Sequence, residues 1–431
     1  MIRNALKDLL KWKKSVDRKP LILKGARQVG KTWLMKHFGE TEYENFFYFN
    51  FDENPSLASI FEENKNSKRI IELLSLLGNK TINPKTDLIV FDEIQESSAA
   101  LNSLKYFNEQ SPEYHVICAG SLLGTLLAKP HSYPVGQVNI LDIYPLTFDE
   151  FLLNLDKGLY AYYLQITKKD KIEEFFHQKL LEAYNYYLII GGMPEAVYSW
   201  TKHKDISLVD KNQKEIIEIY KNDFAKHSGK VNSGRILLVF ESLVSQLAKE
   251  NKKFIYGLVR QGARAREYEG AIEWLVAYGI IHKVYLSKTP SYPIKAYDDP
   301  NAFKLYLFDT GLLKQLAGIE NKSILLKTDF SFKGAMAENF VLQQIVDKFN
   351  VEPRYYSETR IMETDFLVQH MGKVYPVEVK AESNIQSKSL SKYNEKFNPE
   401  KLIRFSKLGL KYDEKIINVP LYLAPRIKDF I

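Results

Sequence analysis

The chain has 431 residues, too many for one ordinary domain, and its 45% hydrophobic and 26% charged content is that of a globular rather than a disordered protein. A single cysteine, Cys118, excludes a disulfide framework and a zinc site of several thiolates, and it fits a reducing cytosol. The net charge of +7 permits a nucleic-acid partner, and no run reaches the roughly 18 apolar residues that cross a bilayer, so a cytoplasmic protein with no membrane partner is expected.

In chain order, MIRNALKDLLKWKK reads as a charged amphipathic helix rather than a secretory leader, since its apolar residues never run beyond two. The short apolar run Leu21-Ile22-Leu23 then leads into GARQVGKT, Gly25 to Thr32. The spacing G-x-x-x-x-G-K-T is that of a phosphate-cradling loop. Backbone N–H groups of Gly25, Ala26, Arg27, Gln28, Val29 and Gly30 can turn toward an anion, and the glycines tolerate the positive φ this demands. Lys31 sets a positive charge against the β- and γ-phosphates, and the Thr32 hydroxyl can ligate Mg²⁺. The following helix, through Trp33, Leu34, Met35 and Phe38, points its N-terminal dipole at the same place. ATP with Mg²⁺ is the expected cofactor, held by Gly25 to Trp33.

Asn45 to Phe51 reads as a buried strand and Ile70 to Leu77 as helical. DLIVFDE, Asp87 to Glu93, is an apolar strand ending in two carboxylates. Asp92 is placed to hold the Mg²⁺ and Glu93 to polarise the attacking water as general base. The strand and helix between the two motifs are expected to separate the motif strands in the sheet. His115 to Ala119 is a further strand, and Ser121 at its tip can contact the γ-phosphate or the water. Val138 to Ile143 is the last core strand, after which Pro145 breaks the chain and Thr147 caps a helix. Five parallel strands with helices between them predict a three-layer α/β core, with the nucleotide at the carboxyl edge of the sheet.

From Leu152 to Lys230 the pattern is helical, interrupted by Gly191-Gly192-Met193-Pro194-Glu195, a hinge-like break suited to a lid. Tyr220, Lys221 and Asp223 sit on a long amphipathic helix and read as solvated-face residues. GARQVGKT, LIVFDE, YPLTFDEF and IIGGMPEAV, in this order and spacing, resemble bacterial and archaeal AAA+-type ATPases that carry a C-terminal domain of unknown function. The resemblance covers essentially the whole chain. It implies an ATPase core over 1–151, a helical lid over 152–231, a winged helix over 232–318 and a restriction-endonuclease-like α/β domain over 319–431. It also implies a homo-oligomer, because neighbouring subunits in such ATPases complete each other's sites. Where family sequences often place a basic residue after a glycine, this chain has Gly136-Gln137, which leaves Arg27 and Arg235 as candidates for a cation supplied to a neighbour.

In the middle segment RAREYEGAIEWLVAY is an amphipathic helix with Tyr268, Ile272 and Leu275 on one face. Ile280 to Leu286 and Phe303 to Phe308 read as paired strands. Helices followed by a β-hairpin make a winged helix, a module that reads DNA and also serves protein contacts. Lys252, Lys253, Arg260, Arg264 and Arg266 can face phosphates, so DNA is the expected partner.

The helix Lys333 to Phe349 carries Glu338 on its inward face, where a charge needs a partner or a task. Glu363 to Val368 and Val374 to Lys380 read as strands, and period two sets Glu378 and Lys380 on one face. A hairpin brings Asp365 beside Glu378. The set Glu338, Asp365 and Glu378-x-Lys380 resembles the PD-(D/E)xK nuclease core, in which carboxylates hold Mg²⁺ and the lysine orients or deprotonates water. Three roles stay open here: DNA cleavage, an inactive fold that binds DNA or protein, and a structural charge network. The expectation is an ATPase whose nucleotide state governs DNA binding or processing. The alternative is a nucleotide-gated signalling or defence switch with an inactive C-terminal domain.

Overall fold

The computed structural model describes residues 1–431 except 122, 128–135, 169–170, 228–229, 327–329, 359–360 and 383–387. The chain forms two compact units. One comprises Arg3–Tyr144 with Ala277–Gly279, and the other Met1–Ile2, Pro145–Val276 and Ile280–Ile431.

The first unit is built on five strands, β1 (Leu21–Lys24), β2 (Asn45–Asn50), β3 (Asp87–Asp92), β4 (His115–Ala119) and β5 (Asn139–Asp142), all parallel in the order β2–β3–β4–β1–β5. Burial follows position in the sheet. Central β3 is buried at every residue, as a parallel strand covered on both faces must be. The edge strands alternate instead, so Asn45–Asn50 is not the fully buried strand expected: Phe47 and Phe49 turn inward while Phe46 and Tyr48 stay half exposed. One face packs Ile22, Ile89, Phe91, Val116 and Cys118 against apolar residues of the helices Leu57–Glu63, Ser67–Leu77 and Ser98–Gln110. On the other face lie Leu23, Val90 and Ile117, also buried, and the helix Lys31–Glu42 lies against β2, β3 and β4. The strand that separates the two motif strands is β4, not the strand lying between them in sequence, because β2 pairs outside β3.

The second unit begins with helices Phe148–Leu155, Lys157–Gln165, Glu174–Ile190, Pro194–His203 and Ile206–His227. Thr147 starts the first of these in a capping box, its N–H donating to the Glu150 carboxylate at 2.9 Å. The Gly191-Gly192 break is buried and bonded rather than hinge-like. Leu146 N donates to Gly192 O at 2.7 Å, and Gly192 N donates to the fully buried Asp309 carboxylate at 2.6 Å.

The helix Ala265–Tyr278 is followed by the antiparallel pair β6 (Ile281–Ser287) and β7 (Asp298–Leu307). Six further strands are β8 (Arg354–Glu358), β9 (Met362–His370), β10 (Lys373–Val379), β11 (Leu402–Ser406), β12 (Lys411–Asp413) and β13 (Ile416–Pro420). All eight share one sheet, ordered β12–β13–β11–β10–β9–β8–β6–β7. The hairpin β6–β7 therefore joins the C-terminal strands across the boundary expected at 318/319, through a parallel contact of Leu286 with Tyr355. Before β8 runs the helix Lys333–Ile345, buried from Ala335 to Ile345. Between β10 and its parallel neighbour β11 runs the helix Lys388–Phe397. No helix among the described residues is long and apolar enough to cross a membrane.

Candidate functional site

The loop after β1, the acidic pair after β3 and Ser121 after β4 sit at the carboxyl ends of three adjacent strands. The loop turns on two left-handed residues, Gly30 (φ 91°), which caps the helix Lys31–Glu42, and Gln28 (φ 64°), which is not a glycine. Gly25 is needed for a different reason: a Cβ there would stand 2.2 Å from the Ile143 carbonyl oxygen. Ala26 and Val29 are buried, so only their backbone can serve a ligand. Trp33 is exposed on the first helical turn and stacks on His37 with centroids 4.6 Å apart.

Lys31 is almost wholly buried, its ammonium donating to the carbonyls of Gly25 (2.9 Å) and Ala26 (2.8 Å). Burial pushes its pKa down to about 8; the charges of Glu93 and Asp92 oppose the fall and nearby Arg27 adds to it. Asp92 is the fixed point of the site. Its Oδ2 accepts from the Thr32 hydroxyl at 2.7 Å and from the Tyr48 hydroxyl at 2.8 Å, and its Oδ1 accepts from the Glu93 N–H at 3.0 Å. Glu93 takes a left-handed backbone (φ 50°), and its Oε2 accepts from Gln95 Nε2 at 2.5 Å and from Ser121 N and Oγ at 3.3 Å. The expected residues Lys31, Thr32, Asp92, Glu93 and Ser121 thus meet in one place.

Three further residues belong there. Tyr48 reaches Asp92 from the edge strand, its own hydroxyl held well above the ordinary phenol range by burial and by the carboxylate it bonds. Gln95 holds Glu93, and its Oε1 is buried with no hydrogen-bond partner among the described residues. Arg3 donates to Val29 O at 3.0 Å and to Tyr144 O at 2.7 Å, bracing the loop from behind. The donor set fits a nucleoside triphosphate with Mg²⁺: a buried ammonium, a hydroxyl and carboxylate in contact, and a helix N-terminus. Arg27 is exposed beside its own loop and Arg235 is half-buried in the other unit.

The C-terminal carboxylates are arranged differently from the expected metal set. Among the described residues no group of three or more His, Cys, Asp or Glu is placed to hold a metal ion. Glu338 is buried, but its Oε1 pairs with Lys252 Nζ at 2.8 Å and its Oε2 accepts from the Tyr306 hydroxyl at 3.1 Å. Asp365 Oδ2 accepts from Val379 N at 2.7 Å; burial and the Glu338 charge push its pKa up to about 7 against the pull of Lys304 and Lys252. Lys304, 1% exposed, pairs with Glu363 at 2.6 Å.

Glu378 joins a different row. Its Oε1 pairs with Lys380 at 3.0 Å, and parallel register sets it beside Arg404 and then Asn418 across β10, β11 and β13, with Lys411 opposite Asn418 on the antiparallel β12. Arg404, Asn418 and Lys411 line a cavity of about 620 Å³ together with His177 and Lys407. Glu338, Glu363 and Glu378 are each paired with a lysine, while Asp365 is held by a backbone N–H and feels Lys304 and Lys252 from beside it, so these side chains do not fit a divalent metal as they stand. Of the basic residues expected to face DNA, Lys253, Arg260, Arg264 and Arg266 are exposed, whereas Lys252 is turned inward onto Glu338.

Residues 17–152 match the AAA domain family AAA_14. Residues 181–323 and 333–422 match DUF8612 and DUF4143, each a domain of unknown function. No curated protein matches the chain. Among solved structures it is similar to the Walker-type ATPase paby2304 of Pyrococcus abyssi, at 14% identity over 72% of this chain and 94% of that one, with a TM-score of 0.41. It is also similar to the Orc1 protein of Aeropyrum pernix, solved in complex with DNA, at 13% identity over 74% and 91% with a TM-score of 0.26. The STAND protein PH0952 of Pyrococcus horikoshii gives 12% identity over 81% of this chain and 46% of that one, with a TM-score of 0.28. Likenesses this distant add nothing to the family match and the five parallel strands. On those two grounds the chain carries, over residues 17–152, a P-loop ATPase domain of the AAA type.

Proposed function

We propose that the protein binds and hydrolyses ATP, and that nucleotide state governs contact with DNA. The observation that carries the first part is the convergence of Lys31, Thr32, Asp92, Glu93 and Ser121 at three neighbouring strand ends. Lys31 would meet the β- and γ-phosphates, while Thr32 and Asp92 would hold Mg²⁺, which supplies charge neutralisation when bound. Glu93 is the group to take a proton from water, once released from Gln95. Lys31→Ala should abolish ATP turnover, and Glu93→Gln should bind ATP without hydrolysing it, read by a phosphate-release assay beside nucleotide-binding titration. Normal turnover in either variant would overturn the assignment.

The exposed Lys253, Arg260, Arg264 and Arg266, on a winged-helix-like segment, support DNA as the partner. The order helix, three strands, helix, parallel strand over residues 333–406 supports a restriction-endonuclease-like reading of the C-terminal fold. One observation favours the second reading, a nucleotide-gated switch with an inactive C-terminal domain: Glu338 and Glu378 are each paired with a lysine. ATPase rates with and without single- and double-stranded DNA, beside a cleavage assay in Mg²⁺ and Mn²⁺, separate the two. Stimulation by DNA supports the first reading. Nucleotide-dependent assembly with no DNA effect supports the second, and homo-oligomerisation belongs to either.

A further inference from the structure

We propose that the Lys252 ammonium is the resident cation of the Glu338–Asp365 cluster, and that the cluster takes no divalent metal while Lys252 is seated. The geometry that would otherwise invite a metal is used up. Both Glu338 oxygens have donors, Lys252 Nζ at 2.8 Å and the Tyr306 hydroxyl at 3.1 Å, with the paired side chains only 13% and 6% exposed. Asp365, on β9, spends one oxygen on the Val379 N–H and feels both Lys252 and Lys304. Glu363, two residues before it, is bound to Lys304 at 2.6 Å.

The charge count makes the same point. Three carboxylates meet two ammonium groups, so the set carries at most one negative charge, and that only when Asp365 is ionised, in a poorly solvated place. A divalent ion added to that set would leave it net positive, beside a lysine that cannot move into water without opening the pair. Lys252 is also fixed by its backbone, which takes φ 48°, a left-handed conformation that a lysine adopts only when its surroundings demand it. Neighbouring Phe254 N–H, donating to Phe303 O at 2.8 Å, ties the same segment to β7. The lysine is therefore delivered into the cluster by the fold rather than by a mobile surface chain. Glu378, next to the Val379 whose N–H Asp365 accepts, is engaged with Lys380, and among the described residues no three His, Cys, Asp or Glu side chains are placed together to hold a metal ion.

The test is calorimetric titration of the full, nucleotide-free chain with MnCl₂, on the wild type, Asp365→Asn, Lys252→Met and the Lys252→Met/Asp365→Asn pair. Methionine keeps the apolar stem and removes the charge. Binding that Asp365→Asn abolishes reports this cluster; binding that survives it belongs elsewhere. The expected result is no Asp365-dependent binding in the wild type and Asp365-dependent binding at least about tenfold tighter in Lys252→Met. Asp365-dependent Mn²⁺ binding in the wild type overturns the proposal and needs no charge-altered lysine variant to be read. A folded Lys252→Met protein that gains no such binding overturns it equally. ATP turnover plays no part in the readout, so failure of the ATPase reading would leave this result interpretable.

Discussion

Asp92 is 2% exposed and accepts three hydrogen bonds, two of them on one oxygen. On the proposed role of Thr32 as a Mg²⁺ ligand, its hydroxyl would leave Asp92, and Tyr48 would be left to keep the carboxylate in position. A hydrogen bond to a charged acceptor contributes about 1.5–3 kcal/mol, and half exposure of Tyr48 favours the lower end. Tyr48→Phe should therefore lower kcat/KM for ATP about tenfold while leaving the fold intact, checked by steady-state kinetics and circular dichroism. An unchanged kcat/KM would make Tyr48 a bystander. That Lys31 and Thr32 would meet Asp92 and Glu93 was legible in the sequence because each pair sits in a short motif whose internal spacing and chemistry fix the residue types. Tyr48, Gln95 and Arg3 were not. Tyr48 lies 44 residues from Asp92 and Arg3 lies 26 from Val29, and a tyrosine or arginine in such places reads as ordinary surface. Lys252 misled for the same reason: a lysine in a basic run looks solvated until its carboxylate, 86 residues away, is located.

At the scale of elements, the Gly191-Gly192 segment is a buried joint. A Cβ on Gly192 would stand 2.1 Å from the Leu146 carbonyl oxygen, in the place where the two backbones bond each other. Gly192→Ala should destabilise the protein by about 2–3 kcal/mol, measured by chemical denaturation; a variant as stable as the parent would show that the segment is free to hinge after all. The joint also carries a titratable group. Asp309 is fully buried, and desolvation pushes its pKa up to about 6 even though the N–H groups of Gly192 and Leu312 favour the ionised form. Its folded pKa lies above the unfolded 3.8, so its protonated form favours folding. That contribution, about 3 kcal/mol from the shift, is fully present below pH 4 and is lost as pH rises through 6. Asp309→Asn removes the titration, so the stability of the parent relative to this variant should fall between pH 4 and pH 7. A pH-independent difference would place the ordinary carboxylate pKa at this position.

At the scale of the molecule, the resemblance implies four modules, and the contacts within the chain gather it into two compact units. The reason is topological. The hairpin β6–β7 looks self-contained in sequence, and the strand it meets, β8, begins about 45 residues beyond β7, after helices that give no sign of the pairing. Charge follows the same logic, since a net +7 says nothing about where the cations face. The structure leaves Lys253, Arg260, Arg264 and Arg266 exposed within fourteen residues and spends Lys252 internally. If the exposed set meets DNA phosphates, each contact releases counterions and steepens the fall of log K with log salt by about 0.9 on duplex DNA. Replacing Arg260, Arg264 and Arg266 together by alanine should flatten that slope by about 3 and weaken binding to all sequences alike. Because these side chains are exposed and make no part of the nucleotide site, basal ATP turnover without DNA should be unchanged. Fluorescence anisotropy at several salt concentrations measures the slope directly. A triple variant that binds duplex DNA with the parent's affinity and slope would remove this segment from the DNA-binding surface.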